Sequence, residues 1–179
     1  MKRGAYLFCL ATSTAHADAT ALDKVCAEVL CRPATTSRVR TTPLETLELS
    51  WPRRPYYADG ALNILPGETL YLEGEEKDGK LVKLRAVDKP GPRTIIVKLE
   101  QLSDPKLDRQ TMLTVTNPFG GPLRYHAGIQ RASADTIART TSCAVKAGTK
   151  SYEHWPEPVV LVVMTDLRLV DAREAGRCD

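Results

Sequence analysis

The sequence is short of the residues and spacings that announce chemistry. Of 179 residues only three are histidine, and no GxSxG elbow, GxxxxGK(S/T) loop, GxGxxG fingerprint, HxH or HExxH pattern occurs. Each of those spacings holds a nucleophile, a row of backbone amides or a metal-binding pair in a fixed geometry. The Pro-Phe-Gly-Gly stretch at 118–121 lacks the lysine and the following helix that phosphate binding requires. Alternating acids of the DxDxDG kind, which calcium loops need, are absent, and Asp59, Asp78, Asp88 and Asp104 fall singly at turns, where aspartate is common. Acids such as Glu153, Glu157 and Asp166 could form a glycosidase pair, but a chain with 22 acids offers many such pairs, so they carry no signal. The cysteines show neither CxxC spacing nor nearby histidines, so no metal and no cofactor is expected. No apolar run reaches the roughly 18 residues of a membrane span, and there is no internal repeat or low-complexity tract.

What is present first is an address. MKRGAYLFCLATSTAHA joins a basic start (Lys2, Arg3), a mostly apolar stretch from Gly4 to Ala11 and a small-x-small end at Ala15-His16-Ala17. That layout predicts a secretory signal peptide over 1–17, cleaved after Ala17, and a periplasmic or secreted protein. Tyr6, Leu7 and Phe8 before Cys9 are too large for a lipidation site. Loss of Lys2 and Arg3 takes the net charge from +3 to +1. A near-neutral chain has no electrostatic footprint for nucleic acid, and the local group Arg38, Arg40, Arg53 and Arg54 reads as a solvated face.

Without Cys9, four of the five cysteines remain: Cys26, Cys31, Cys143 and Cys178. An even count in an exported chain suits disulfides. Of the three possible pairings, Cys26–Cys31 and Cys143–Cys178 are favoured because each is local and ties down an edge of the core.

Along the chain, the period of the apolar residues changes. Leu22, Val25, Cys26, Val29 and Leu30 fall on one helical face, so residues 19–30 predict a short helix ended by Arg32-Pro33. Residues 32–43 are polar and read as a loop or edge strand. From residue 44 the period is two, as in LETLELSW, ALNIL, ETLYLEG, KLVKLRAV, RTIIVKLEQL, TMLTVTN, PLRYHAGIQ, ARTTSCAVKAG and VVLVVMTDLRLV. The Asp78-Gly79 step between two alternating runs marks the clearest hairpin. Short strands at intervals near ten residues predict a mainly β domain over 44–179: an antiparallel β-sandwich preceded, over 18–43, by the short helix and loop. A small closed barrel is the runner-up. The run Val159–Met164 is apolar on both faces and should be central.

VTNPFGGPLRY, residues 115–125, stops one alternating run and starts another. Asn117 can bond its own backbone, Pro118 and Pro122 block helix, and Gly120-Gly121 permits reversal. The stretch therefore reads as the corner of a hairpin. Its strand-Asn, turn, Pro-strand layout resembles the immunoglobulin-like modules of exported bacterial proteins, and the resemblance extends over residues 44–170. It implies an immunoglobulin-like sandwich and little about activity. The same stretch is similar to that of periplasmic pilus chaperones, whose two-domain build exceeds this chain.

Two aromatic stretches remain. Residues 51–57 carry Trp51, Arg53, Arg54, Tyr56 and Tyr57; residues 152–158 carry Tyr152, His154 and Trp155. Tyr, Trp and Arg are enriched in binding hot spots, and the interleaved prolines lower the cost of ordering a loop on binding. The plainer reading is that the tryptophans plug the sandwich ends. His126, on a strand, and His154, in the second of these loops, read as ordinary surface residues. The expectation is a non-catalytic module that binds a protein or cell-envelope partner. The alternatives are a hydrolase of envelope polymers and a structural subunit assembling by strand addition.

Overall fold

The computed structural model describes residues 15–102 and 110–178, with side chains from residue 21 onward. Most of the expected signal peptide, and Asp104, lie outside the described residues.

The chain opens with helix α1 (Ala15–Glu28), then β1 (Cys31–Arg32), the hairpin β2 (Thr35–Arg40) and β3 (Thr46–Trp51), and β4 (Arg54–Pro55), which returns to pair with β1. Of the helical stripe, Val25 is 43% and Val29 39% exposed while Leu22, Cys26 and Leu30 are half-buried, and α1 stops before Val29 and Leu30. The Cys26–Cys31 disulfide accounts for that early stop. Five residues of helix rise about 7.5 Å, beyond a disulfide's ordinary reach, so the chain must leave the helix to close the observed 5.5 Å between the two Cα atoms. The polar residues 32–43 supply strand β2, and its hairpin crosses the boundary expected at 43/44.

Two five-stranded antiparallel sheets form the body. The front sheet holds β5 (Tyr57–Ala58), β6 (Ala61–Ile64), β11 (Leu123–Arg131), β12 (Ile137–Thr140) and β14 (Val159–Leu169), in the order β12-β11-β14-β6-β5. The back sheet holds β7 (Thr69–Lys77), β8 (Lys80–Val87), β9 (Thr94–Gln101), β10 (Thr111–Thr116) and β13 (Lys150–Trp155), in the order β13-β10-β9-β7-β8. The strands alternate as their sequences do. Leu62 and Ile64, Leu123 to Ile129 at odd positions, and Val162 and Met164 from the front meet Leu70, Leu72, Ile95, Val97, Leu99, Leu113 and Val115 from the back in one hydrophobic cluster. The apolar run 159–164 lies in β14, at the centre of its sheet.

The sheets do not close into a barrel, because both end in open edges: β12 and β5 in front, β13 and β8 behind. The 117–122 turn is not a hairpin corner either. It carries the chain from β10 in the back sheet to β11 in the front one. Asn117, 1% exposed, holds that crossing: its Nδ2 donates to the carbonyls of Gly121, Val145 and Lys146, and its Oδ1 accepts from Phe119 N–H. Alternation within each run cannot say whether consecutive strands pair or face each other across a core. At the β7–β8 hairpin the local chemistry does say so, since Asp78 and Gly79 both take positive φ (52° and 71°), the geometry a two-residue hairpin needs.

The second disulfide joins Cys143, on the connection from β12 to β13, to Cys178, beyond the short helix α2 (Ala172–Ala175), with Cα atoms 4.3 Å apart. No helix among the described residues is long and apolar enough to cross a membrane.

Candidate functional site

The two aromatic stretches sit at opposite edges of the back sheet. Tyr56 lines a cleft of about 260 Å³ with Leu30, Cys31, Tyr71, Ala86 and Val87, against edge strand β8. Tyr152 and His154 lie on β13, four strands away; at about 4.8 Å per strand that is roughly 19 Å. They do not form one surface.

At the first edge most of the expected contact residues are already engaged. The Arg32 guanidinium lies over the Tyr56 ring, 5.1 Å from its centre. It donates through Nε and Nη2 to both carboxylate oxygens of Glu68 (2.6 and 2.7 Å) and through Nη2 to Asn63 O (2.9 Å). Burial, and the Glu68 charge after it, push the Tyr56 phenol up; burial does the same for Tyr57. Arg53 pairs with Asp23 of α1 at 2.6 Å. Trp51, half-buried, donates to Ser37 Oγ at 2.7 Å. Arg54 is exposed opposite Arg32. This lobe fastens the N-terminal segment to the body.

The second edge is different. Trp155 is 7% exposed and belongs to the core, with its indole N–H donating to Thr140 Oγ1. Alternation then turns Glu153 and Ser151 inward and Tyr152, His154 and Lys150 outward, as the exposures confirm. Tyr152 is 64% exposed. Glu153 reaches between the sheets, where its Oε1 accepts from the buried Tyr125 hydroxyl at 2.5 Å. Burial holds the Glu153 carboxyl above its usual range, and burial next to that carboxylate pushes the Tyr125 phenol upward. Ser151 Oγ and Glu153 Oε2 are both buried and make no hydrogen bond of ordinary geometry, although the Ser151 hydroxyl lies near enough to the Tyr125 phenol to act against its upward shift. The inward acid was legible from its place two residues before Trp155.

A third cluster escaped the sequence. On the outer face of the front sheet, Arg139 donates to His126 Nδ1 (3.3 Å), so the ring's Nε2 carries the proton toward Asp166 Oδ2 (3.4 Å). Asp166 occupies a left-handed conformation, φ 52°, where the pairing of β11 with β14 slips by one residue. Such a bulge re-aims a side chain. Arg168 continues the chain of contacts from Asp166 to Glu174, whose carboxyl it holds below the usual range. His126 and Arg139 border a shallow groove of about 380 Å³ that Ala127, Gly128 and Val163 also line. No group of three or more His, Cys, Asp or Glu among the described residues could hold a metal ion.

Compared with family models, curated proteins and solved structures, the chain matches none.

Proposed function

We propose that the chain is an exported interaction module of immunoglobulin-like type, which contacts a protein of the cell envelope through edge strand β13. The observation that carries this reading is Tyr152. It is a large aromatic, 64% exposed, on the outer face of a regular six-residue edge strand whose inner row is anchored in the core. An exposed aromatic on a rigid strand offers contact area at low entropic cost, and the unpaired ladder beside it suits an added strand.

Export is supported by the two disulfides, which persist in oxidising compartments. The immunoglobulin-like type is supported by connectivity: β10 and β13 flank each other in one sheet while β11 and β14 pair in the other. The chain changes sheet at each step from β10 to β11, from β12 to β13 and from β13 to β14, as strands B, C, E and F of such domains do.

The test is capture from a periplasmic extract with the wild-type chain and with Tyr152→Ser/His154→Ser as bait. The expected result is a reproducible partner that the double variant fails to retain. Equal capture by both baits would remove β13 from the contact.

A second reading, a hydrolase of envelope polymers, has one observation in its favour: the His126–Asp166 contact beside a groove. It requires polymer cleavage that Asp166→Asn abolishes.

A further inference from the structure

We infer that β13 pairs with β13 of a second copy, antiparallel and with Tyr152 on the two-fold axis. The inference rests on the reading of β13 as a contact strand and names its partner.

The backbone comes first. β13 is the outermost strand of its sheet and keeps an unbroken register with β10, from Thr111↔Trp155 to Thr116↔Lys150. Just beyond that ladder, in the same register, Asn117 N–H donates to Thr149 O. Hydrogen-bonded and non-bonded pairs alternate along an antiparallel ladder, so odd-numbered residues of β13 point their backbone groups at β10. Those of Lys150, Tyr152 and His154 point at the open edge.

Side chains then restrict the register. Residues opposite each other must share a face, which leaves two central choices. With Glu153 on the axis, two inward carboxylates would stand opposite each other, which is unfavourable, and Pro156 would fall in the ladder without an N–H. With Tyr152 on the axis, Lys150, Tyr152 and His154 exchange about six backbone hydrogen bonds with the second copy. The inward pair is then Ser151 opposite Glu153 of the other copy, formed twice, with Cβ atoms roughly 5 Å apart. Ser151 Oγ is a donor and Glu153 Oε2 an acceptor, and among the described residues these are the buried side-chain atoms without a hydrogen bond in the single chain. One register thus places a hydroxyl opposite the carboxylate that would repel most other strands.

The other edges of the two five-stranded sheets are poorer templates. β8 carries Lys80, Lys83 and Arg85, and its ladder is broken beside Lys83, which has φ 54°. Bulges and charges of this kind blunt an edge. β12 has four residues and β5 two. An edge that pairs with itself about a two-fold axis gives a closed dimer rather than a fibre.

The experiment is sedimentation velocity and light scattering of the full chain from about 1 to 500 μM, a range suited to a small interface. A twofold rise in mass across that range is expected. Tyr152→Pro removes an N–H that faces outward, which edge strands tolerate; it should stay monomeric with an unchanged circular dichroism spectrum. Tyr152→Cys should cross-link to itself on mild oxidation, since facing pairs lie about 5.5 Å apart, whereas Lys150→Cys, four residues off its own copy, should not. A constant monomer mass overturns the inference, as does stronger cross-linking of Lys150→Cys than of Tyr152→Cys. A constant monomer that still captures an envelope protein through Tyr152 overturns the self-pairing alone; one that captures nothing overturns the contact strand as well.

Discussion

Replacing Glu68 with alanine takes away the counter-ion of a guanidinium whose side chain is 4% exposed. Arg32 would keep only the Asn63 carbonyl and the face of Tyr56. Leu65 N–H, which donates to Glu68 Oε2 at 2.8 Å, would lose its acceptor too. Breaking a buried pair from one side costs about 3–5 kcal/mol, because an uncompensated charge stays behind. For a chain of this size each kcal/mol lowers Tm by about 2–4 °C, so Glu68→Ala should melt roughly 6–20 °C below the wild type. The double variant Arg32→Met/Glu68→Gln removes both charges and keeps an oxygen for Leu65. It should lie within about 1 kcal/mol of the wild type, since replacing both members of such a pair is often neutral. The assay is urea unfolding followed by the fluorescence of Trp51 and Trp155, at 0.15 and 1 M salt. An exposed pair serves as control: Arg38–Glu48, with side chains 74% and 57% exposed, should cost below about 1 kcal/mol when Glu48 becomes alanine. A Glu68→Ala loss under 1 kcal/mol, or a double variant no better than the single, would refute the reasoning and mean that water reaches Arg32.

Three further outcomes follow from the same structure. Asn117→Ala takes the side-chain donor from Gly121 O and the acceptor from Phe119 N–H at the crossing between sheets, while Val145 O keeps Leu123 N–H and Lys146 O keeps Thr149; a loss of roughly 2–4 kcal/mol in urea unfolding is expected. The disulfides should differ by loop length. Replacing Cys143 and Cys178 by serine, separation 35, should cost about 4 kcal/mol on the chain-entropy model, against about 2 for Cys26 and Cys31, separation 5; reversed magnitudes in matched melts would count against it. Glu153, whose carboxyl is raised by burial, binds its proton more readily folded than unfolded. Its contribution to stability is therefore present at acid pH and lost as pH rises above about 4.5 through the folded-state value. Glu153→Gln, assayed in dilute monomer, should gain on the wild type as the pH is raised above about 4.5; a difference that stays flat would show the carboxylate to be solvated.

Alternation, turn chemistry and the cysteine count determined a great deal without coordinates. Period-two runs of Leu, Val and Ile have to bury one face, so the antiparallel strands, their inward residues and the Asp78-Gly79 hairpin were readable. Locality and an even number of thiols picked out both disulfide pairs that the structure forms. Only the tertiary structure decided which strands pair. A period of two is the same for neighbours in one sheet and for strands facing across a core, so 117–122 read as a corner and is a crossing. Packing also divided the aromatic candidates: Trp155 fills the core, Tyr56 holds Arg32, and Tyr152 alone faces solvent broadly, because each site's exposure depends on which distant strand lies over it. The left-handed Asp166 beside His126 had no signal in the chain, since that backbone conformation arises where the register slips between Arg124↔Arg168 and His126↔Thr165, and neither strand's own pattern marks it: β11 and β14 had to meet before the bulge existed.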